Sequence, residues 1–166
     1  MTASVRSIYD EVRKHVGRSF DTDLGAMRAV DMQRFALTVG DNLPITMNRA
    51  VAAEAGLADI AAPPLFLSTV MVWGAGTPEA ELLPDGVPPA GLSDLPVGGL
   101  RLMGGGQSLE FMRPVVAGMH VVQKTCIKNV TLKEGRSGEM ILIQVERVFI
   151  GDGQPLQRCV ETFIGR

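Results

Sequence analysis

The sequence predicts an α+β fold in which an antiparallel sheet curls around one buried helix. Three observations support this prediction. Apolar residues recur at helical spacing in the first third of the 166-residue chain, a predominantly apolar run spans residues 65–73, and β-rich segments fill the second half. Helices followed by successive strands indicate an α+β domain rather than alternating βαβ units. We expect a single domain over residues 1–166.

Three short amphipathic helices are predicted in the first third of the chain. The first is followed by Gly17 as a stop signal, and Asp31 can cap the second, which ends at Gly40. The third covers residues 48–56, with a polar cap, an alanine-rich body and a terminal glycine. The apolar positions of the first two helices are Val5, Ile8, Tyr9, Val12 and Val16, and Met32, Phe35, Ala36 and Val39.

A fourth helix, up to residue 73, differs because its apolar side chains point in every direction around the axis. Pro63 and Pro64 suit its first turn, where a missing N–H would have had no partner anyway. A helix that is apolar on all sides is a buried helix. We therefore predict that residues 65–73 lie inside the curled sheet.

The second half of the chain supplies the strands. β-Branched and aromatic residues dominate residues 100–112, 119–133, 140–150 and 155–164. Glycine-rich connections at residues 135–138 and 151–153 have hairpin composition, which predicts antiparallel pairing. One segment shows a clear alternation of apolar with more polar residues, typical of a strand with one face inward. Its inward residues are Ile141, Ile143, Val145 and Phe149.

Residues 74–99 form a long connection rich in proline and glycine, in which only residues 79–83 can form a helical turn. Loops of this length in a compact domain are typically lids, binding loops or mobile segments. A disordered surface insertion is an equally good interpretation. We expect this segment to be the most mobile part of the molecule.

Composition and charge exclude several classes of function. The net charge of −2 without a basic stripe disfavours nucleic acid as a partner. Residues 65–73 are far fewer than the roughly 20 that span a bilayer, and no apolar run indicates a signal peptide. Cys126 and Cys159 are expected to be free thiols of a cytoplasmic protein. No Cys and His cluster has the spacing of a metal site.

Two motifs frame the candidate site, Gly40-Asp41-Asn42-Leu43-Pro44-Ile45-Thr46 and Ala62-Pro63-Pro64-Leu65-Phe66. With residues 109–118 and the ending Glu161-Thr162, their order resembles the MaoC-like hot-dog hydratases and dehydratases. The likeness is greatest to their N-terminal half-domains and to the small subunits of heterodimeric acyl-thioester dehydratases. It covers nearly the whole chain. It implies a hot-dog fold, a homodimer or heterodimer with another hot-dog domain, and an acyl thioester between the two.

The resemblance also implies a chemistry. Hydration of an enoyl thioester requires an acid–base pair and N–H donors near the thioester oxygen. Asp41 matches the aspartate of the family strip Asp-x-Asn-Pro-x-His, and Thr46 occupies its histidine position. The donor glycine falls near Pro63 or Pro64, which have no N–H. We therefore expect the chain to be inactive alone, with Leu65 N–H as a weak substitute donor.

Candidate substrate contacts complete the predicted site. The glycine run before residue 107 lacks the Lys-Ser/Thr of a phosphate loop, so we interpret it as a bulge or a close backbone approach at the dimer or substrate groove. The substrate carrier is coenzyme A or acyl carrier protein, and no other cofactor is expected. The predicted contacts are Asn42, Pro63, Pro64, Leu65, Gly105 and Gly106.

Other polar residues are weaker candidates. His15 ends an exposed helix, and His120 begins a strand, where a surface histidine is the simpler interpretation. Arg101, Arg113 and Lys124 could meet the phosphates of coenzyme A, although isolated basic residues are usually only solvated.

Two hypotheses from different classes follow. In the first, the chain is a degenerate subunit or half of an enoyl-thioester hydratase or 3-hydroxyacyl-thioester dehydratase, and it accommodates the acyl chain beside a catalytic partner. In the second, it is a self-sufficient enoyl-CoA hydratase in which Asn42 and His120 assist Asp41. A third, an acyl-CoA thioesterase, would need a carboxylate on the central helix, and residues 65–73 contain none.

Overall fold

The computed structural model describes residues 4–70, 77–82, 86, 92, 95–135 and 138–166. The α-helices are α1 Val5–Val12, α2 Ala29–Val39, α3 Pro44–Met47, α4 Arg49–Glu54 and α5 Phe66–Val70, with 3-10 turns at Arg13–His15 and Glu79–Glu81. The strands are β1 Ser19–Ala26, β2 Leu102–Phe111, β3 His120–Gly135, β4 Gly138–Gly151 and β5 Gln154–Gly165.

The five strands form one sheet in the order β1-β3-β4-β5-β2, and all neighbours are antiparallel. The four predicted strand segments and their antiparallel pairing are confirmed. In the β4–β5 turn, Asp152 and Gly153 both have positive φ, 49° and 73°, as the Asp-Gly hairpin signal predicts. Gly135 pairs with Gly138, while residues 136 and 137 lie outside the described part of the chain.

Sequence analysis did not predict β1, which pairs with β3 along one edge of the sheet. Its sequence, SFDTDLGA, lacks an apolar alternation, and Asp21 and Asp23 are both exposed. An edge strand of this kind is held by its hydrogen-bonded neighbour more than by its own side chains, so its sequence carries little signal.

The described part of the central helix is buried as predicted. Phe66, Leu67 and Val70 of α5 are each 1% exposed, and residues 71–73 lie outside the described residues. The expected proline first turn is wrong, since α5 begins at Phe66. Leu65, with φ of 69°, is in the left-handed region and cannot belong to a right-handed helix.

Helix α2 also begins differently from the expectation. Asp31 is not the cap; it lies in the first turn and makes two hydrogen bonds with Arg28, of 2.6 and 3.0 Å. The hydrogen bonds from Arg28 lower the pKa of Asp31. Gly40 ends the helix in the left-handed conformation, as predicted. Val39 was expected to face the core, but it is 54% exposed.

The core has two apolar clusters along the concave face of the sheet. One, which includes Ile8, Val12 and Ile143, packs α1 against β3 and β4; the other, which includes Phe66 and Phe149, packs α5 against β3, β4 and β5. The predicted inward positions Ile141, Ile143, Val145 and Phe149 are all at most 1% exposed, which confirms the alternation.

A row of polar residues separates the two clusters, and we call it the polar band. Thr125, Arg147 and Cys159 are register partners across β3, β4 and β5, and the row before them contains Gln123 and Gln157. The Arg147 side chain is 13% exposed and forms an ion pair with Glu161. Burial lowers the pKa of Arg147 and raises the pKa of Cys159.

The long connection is described only in part. Glu79–Glu81 forms the predicted helical turn. Leu92, Leu95 and Val97 are buried at 2%, 7% and 8% and belong to the cluster around Ile8, so the end of this segment is part of the core rather than a surface insertion. The mobility of the segment stays a prediction.

The β2–β5 bulge predicts a steric difference between two adjacent glycines. A Cβ at Gly105 would lie 3.0 Å from the Thr162 carbonyl oxygen, whereas one at Gly104 would meet nothing within 4 Å. We expect Gly105→Ala to lower the free energy of unfolding by about 1–3 kcal/mol, and Gly104→Ala to change it by less than about 0.5 kcal/mol. Urea denaturation of both variants is the measurement. Equal stabilities would contradict the close approach.

A second prediction concerns acid stability. Glu146, with a side chain 19% exposed, accepts hydrogen bonds from Lys128 Nζ at 2.7 Å and Arg158 Nε at 2.6 Å, and these bonds lower its pKa. A lowered folded-state pKa stabilises the fold above the unfolded-state value of about 4.3, and this stabilisation is lost as pH falls through the folded-state value. The unfolding free energy of Glu146→Gln should therefore fall less between pH 6 and pH 3 than that of the wild type.

Candidate functional site

An apolar groove of about 340 Å³ lies at the start of α5. Its walls come from the turn before α5, from the end of β2 and the segment that follows, and from the start of β5. Arg113 and Gln157 are the polar side chains among its lining residues. The others are Ala62, Pro63, Pro64, Leu65, Phe66, Leu67, Phe111, Met112, Pro114, Val115 and Leu156.

Backbone hydrogen bonds hold the walls together. Ala62 N–H donates to the Val115 carbonyl at 2.8 Å, and Ala61 forms a β-bridge with Val116. On the other side, the N–H groups of Met112 and Arg113 donate to the Leu156 carbonyl at 2.9 and 3.1 Å. These bonds depend on pairing between distant segments, so the groove exists only in the folded chain.

The predicted contacts Pro63, Pro64 and Leu65 all line this groove. Pro63 is buried, while Leu65 is 41% exposed and carries a left-handed backbone, which costs about 1–2 kcal/mol in a non-glycine residue. Such strain persists where the surrounding structure enforces it, often at binding sites. The Leu65 N–H donates to no acceptor among the described residues.

The other half of the predicted site lies outside the groove lining. Asp41 Oδ1 accepts a hydrogen bond from Leu43 N–H at 2.9 Å, which forms an Asx turn, and Asn42 is exposed. Thr46 is 2% exposed and its Oγ1 donates to the Leu43 carbonyl at 2.7 Å. The structure gives Asp41 and Thr46 a local hydrogen-bonding role; a catalytic role for either, and a substrate contact for Asn42, stay predictions.

The glycine pair also lies outside the groove lining. Gly105 and Gly106 sit where the β2–β5 register shifts between Gly104 and Gln107, and Gly106 has φ of 104°. The expected bulge is therefore present, on an edge strand whose glycines are exposed. Gly105 approaches Thr162 of β5 rather than the groove, so contact with substrate stays a prediction for both.

The histidines do not form an acid–base pair in the groove. His120 Nε2 lies 2.7 Å from Asp23 Oδ1, with side chains 56% and 67% exposed, so the carboxylate nearest to this imidazole is Asp23 rather than Asp41. This pair belongs to an open surface beside β1 and β3, where His120 and Lys124 line a second groove. His15 lies in the 3-10 turn after α1.

The three basic candidates are separated in the fold. Arg113 lines the apolar groove and Lys124 lines the surface groove near His120. Arg101 precedes β2, whose opposite end reaches Phe111. At about 3.3 Å per residue, this strand places Arg101 roughly 30 Å from the groove, which excludes it from a shared phosphate site.

Several groove residues were not predicted as site residues. Val115 belongs to a segment used only for the resemblance. The others, Phe111, Met112, Leu156 and Gln157, belong to strands predicted without an assignment of their faces to a site. A signal was present, because Gln157 shares the inward parity of Cys159 and Phe163 on β5. A polar side chain at an inward position is informative.

The chemistry available in the groove is limited. Among its described lining residues, Arg113 is the one with an ionisable side chain, and none is Asp, Glu or His. Within the described residues no group of three or more His, Cys, Asp and Glu is placed to hold a metal. None of the helices in that part of the chain has the length and apolar character of a membrane span. The described lining can bind an apolar chain and contains no acid–base pair.

Comparison with known proteins places this chain in a family. Residues 14–158 match the family described as FAS1-like, dehydratase domain region. A UPF0336 protein of Parafrankia sp. (strain EAN1pec) is 32% identical over 116 residues, which cover 69% of this chain and 70% of that protein.

Two solved structures from Mycobacterium tuberculosis share the fold. The ChsH1–ChsH2 complex matches with a TM-score of 0.72 and 16% identity, over 96% of this chain and 89% of that chain. The C-terminally truncated HadBC complex, a 3R-hydroxyacyl-ACP dehydratase, matches with a TM-score of 0.65 and 17% identity, over 99% and 100%. The predicted hot-dog fold and the resemblance to MaoC-like hydratases and dehydratases are confirmed. The chain belongs to the FAS1-like dehydratase domain family.

Proposed function

We propose that this chain is the acyl-binding subunit of a two-chain enoyl-thioester hydratase or 3-hydroxyacyl-thioester dehydratase. The groove at the start of α5 accommodates the acyl chain, and a second hot-dog subunit supplies the acid–base pair. The acyl group arrives as a thioester of coenzyme A or acyl carrier protein, and no other cofactor takes part. The free thiols Cys126 and Cys159 suit a cytoplasmic location.

The observation that carries this proposal is the groove itself, which is lined mainly by apolar side chains and has no acid–base pair among its described lining residues. Its volume of about 340 Å³ falls within the range of small-molecule sites. Proton transfer to carbon requires a group that titrates near the working pH, and arginine does not. A chain with this groove alone binds an acyl group without transforming it.

The edge strand β2 supports pairing with a second subunit. It is a terminal strand of the sheet, so one row of its backbone N–H and C=O groups has no partner within the sheet. Phe111 at its end is 53% exposed and the next residue, Met112, is 39% exposed. Both line the groove, so a partner strand along β2 would cover apolar surface and add a wall to the acyl site. The two-subunit ChsH1–ChsH2 complex has the same fold.

Reconstitution tests the proposal. The purified chain is assayed with crotonyl and longer enoyl thioesters, alone and with a hot-dog protein that carries Asp-x-Asn-Pro-x-His and is encoded beside it. We expect turnover only with the partner, because the described lining of this groove contains no acid–base pair. Robust turnover by the chain alone that disappears in Asp41→Asn would favour the self-sufficient hydratase instead.

A groove-filling variant tests the acyl-binding role in the same complex. Ala62 lines the groove and is half-buried, so Ala62→Phe should exclude the distal part of a long chain. Each methylene left unburied costs about 0.8 kcal/mol, so displacing two lowers kcat/KM for long enoyl thioesters about tenfold, while crotonyl turnover changes little. The control is Ala53→Phe, on the exposed face of α4. Equal losses for short and long substrates would contradict acyl binding here.

A third variant tests whether the structure has space for a histidine side chain at Thr46, the position where the family strip carries its histidine. Thr46 is buried at 2% and its hydroxyl is bonded to the Leu43 carbonyl, so Thr46→His must push a larger polar ring into packed surroundings. We expect a loss of about 1–3 kcal/mol in unfolding free energy and no turnover by the chain alone. The isosteric Thr46→Val should lose only about 1 kcal/mol. A stable Thr46→His variant that gains hydratase activity would show that the catalytic pocket is intact.

A further inference from the structure

One polar side chain of the groove has no partner among the described residues. Gln157 is 4% exposed as a residue and lines the apolar groove. Its carboxamide makes no hydrogen bond within the described part of the chain, yet its amide atoms are not among the fully enclosed atoms that lack a partner, so they reach the open space of the groove. An amide in this position is available to a bound molecule, since polar groups that lose contact with water need a hydrogen-bond partner.

The surroundings of Gln157 do not supply a structural reason for an amide. Its register partners are Phe149 on β4 and Phe111 on β2, which offer no strong hydrogen-bonding group. The neighbouring amide of the polar band differs in its N–H group, because Gln123 Nε2 donates to Thr125 Oγ1 at 3.0 Å, while its Oε1 is enclosed without a partner among the described residues. Leucine would fill the Gln157 position with similar volume and without an unpaired polar group. The amide therefore points to a ligand.

The ligand must offer an oxygen in otherwise apolar surroundings. An acyl thioester that enters this groove removes its carbonyl oxygen from water, and a buried carbonyl without a donor is strongly unfavourable. Pro63 and Pro64 have no N–H, and Arg113 is exposed. Among the side chains that line the groove, Gln157 is the buried one with an N–H to donate.

We propose that Gln157 Nε2–H donates a hydrogen bond to the thioester carbonyl of the bound acyl group. This inference rests on the proposed acyl-binding function and names the residue that orients the thioester. It makes the groove selective for thioesters over thioethers of the same length and shape. It also explains why an amide without a partner among the described residues lines an apolar groove.

A ligand–variant cycle tests this assignment in the complex of the chain with its hot-dog partner. Hexanoyl-CoA and hexyl-CoA, a thioether without the carbonyl, are titrated by calorimetry into the wild type and into Gln157→Leu. We expect the wild type to bind hexanoyl-CoA about tenfold more tightly than hexyl-CoA, the size of one buried hydrogen bond. Gln157→Leu should bind both equally. Gln144→Leu, a half-buried amide on the other face of β4, should keep the wild-type preference.

Two further measurements separate this role from a structural one. Gln157→Leu should be at least as stable as the wild type in urea without ligand, because an unpaired buried amide is removed. In the complex, the infrared band of a ¹³C-labelled hexanoyl thioester carbonyl should lie at lower frequency in the wild type than in Gln157→Leu, since a hydrogen bond weakens the C=O bond.

The outcomes distinguish this inference from the function on which it rests. Wild-type binding of both ligands with equal affinity, or an undiminished preference in Gln157→Leu, would overturn the hydrogen bond while leaving acyl binding in place. Failure of the wild-type complex to bind either ligand would reject the acyl-binding function and the Gln157 assignment together.

Discussion

The burial of α5 against the concave face of the sheet organises the rest of this molecule. Phe66, Leu67 and Val70 are each 1% exposed, and full burial of such a side chain stabilises the fold by about 1.5–3 kcal/mol. The ring of Phe66 also meets Phe35 of α2 edge-on, with centroids 5.9 Å apart. The entry of the chain into α5 through Pro63 and Pro64 then shapes the apolar groove beside the helix start.

The polar band shows that the concave face of the sheet carries polar and charged side chains as well as the apolar core. A buried arginine is tolerated only with a partner, and Glu161 supplies one for Arg147. At the end of the band nearer the groove, Gln157 has no partner among the described residues. The ion pair and the unpartnered amide lie on the same face and have different causes: the first supports the interior of the fold, and the second is the group that we assign to a ligand.

The family of the chain indicates dehydratase chemistry, whereas the described lining of the groove offers no acid–base pair for it. The proposed function accounts for both observations. The chain belongs to a dehydratase domain family, yet the described residues that line the groove at its central helix include no Asp, Glu or His. A division of labour between two hot-dog subunits accounts for both facts. The apolar wall formed by Phe111 and Met112 stands beside the free edge of β2, where a second subunit would complete the site.

The sequence by itself determined the class of fold, the four long strands, the buried helix and the family, because each rests on local periodicity or on the order of motifs. Strand β1 was not predicted, since Asp21 and Asp23 leave its sequence without an apolar pattern. Its hydrogen-bonded pairing with β3 holds it in the sheet. Only the tertiary structure decided which residues share the groove. Thr46 is buried with its hydroxyl bonded to the Leu43 carbonyl, and its place in the catalytic site stays a prediction, while Gln157 was overlooked and lines the groove. The physical reason is that a groove forms where segments distant in sequence meet, and Ala62 meets Val115 only through long-range backbone hydrogen bonding.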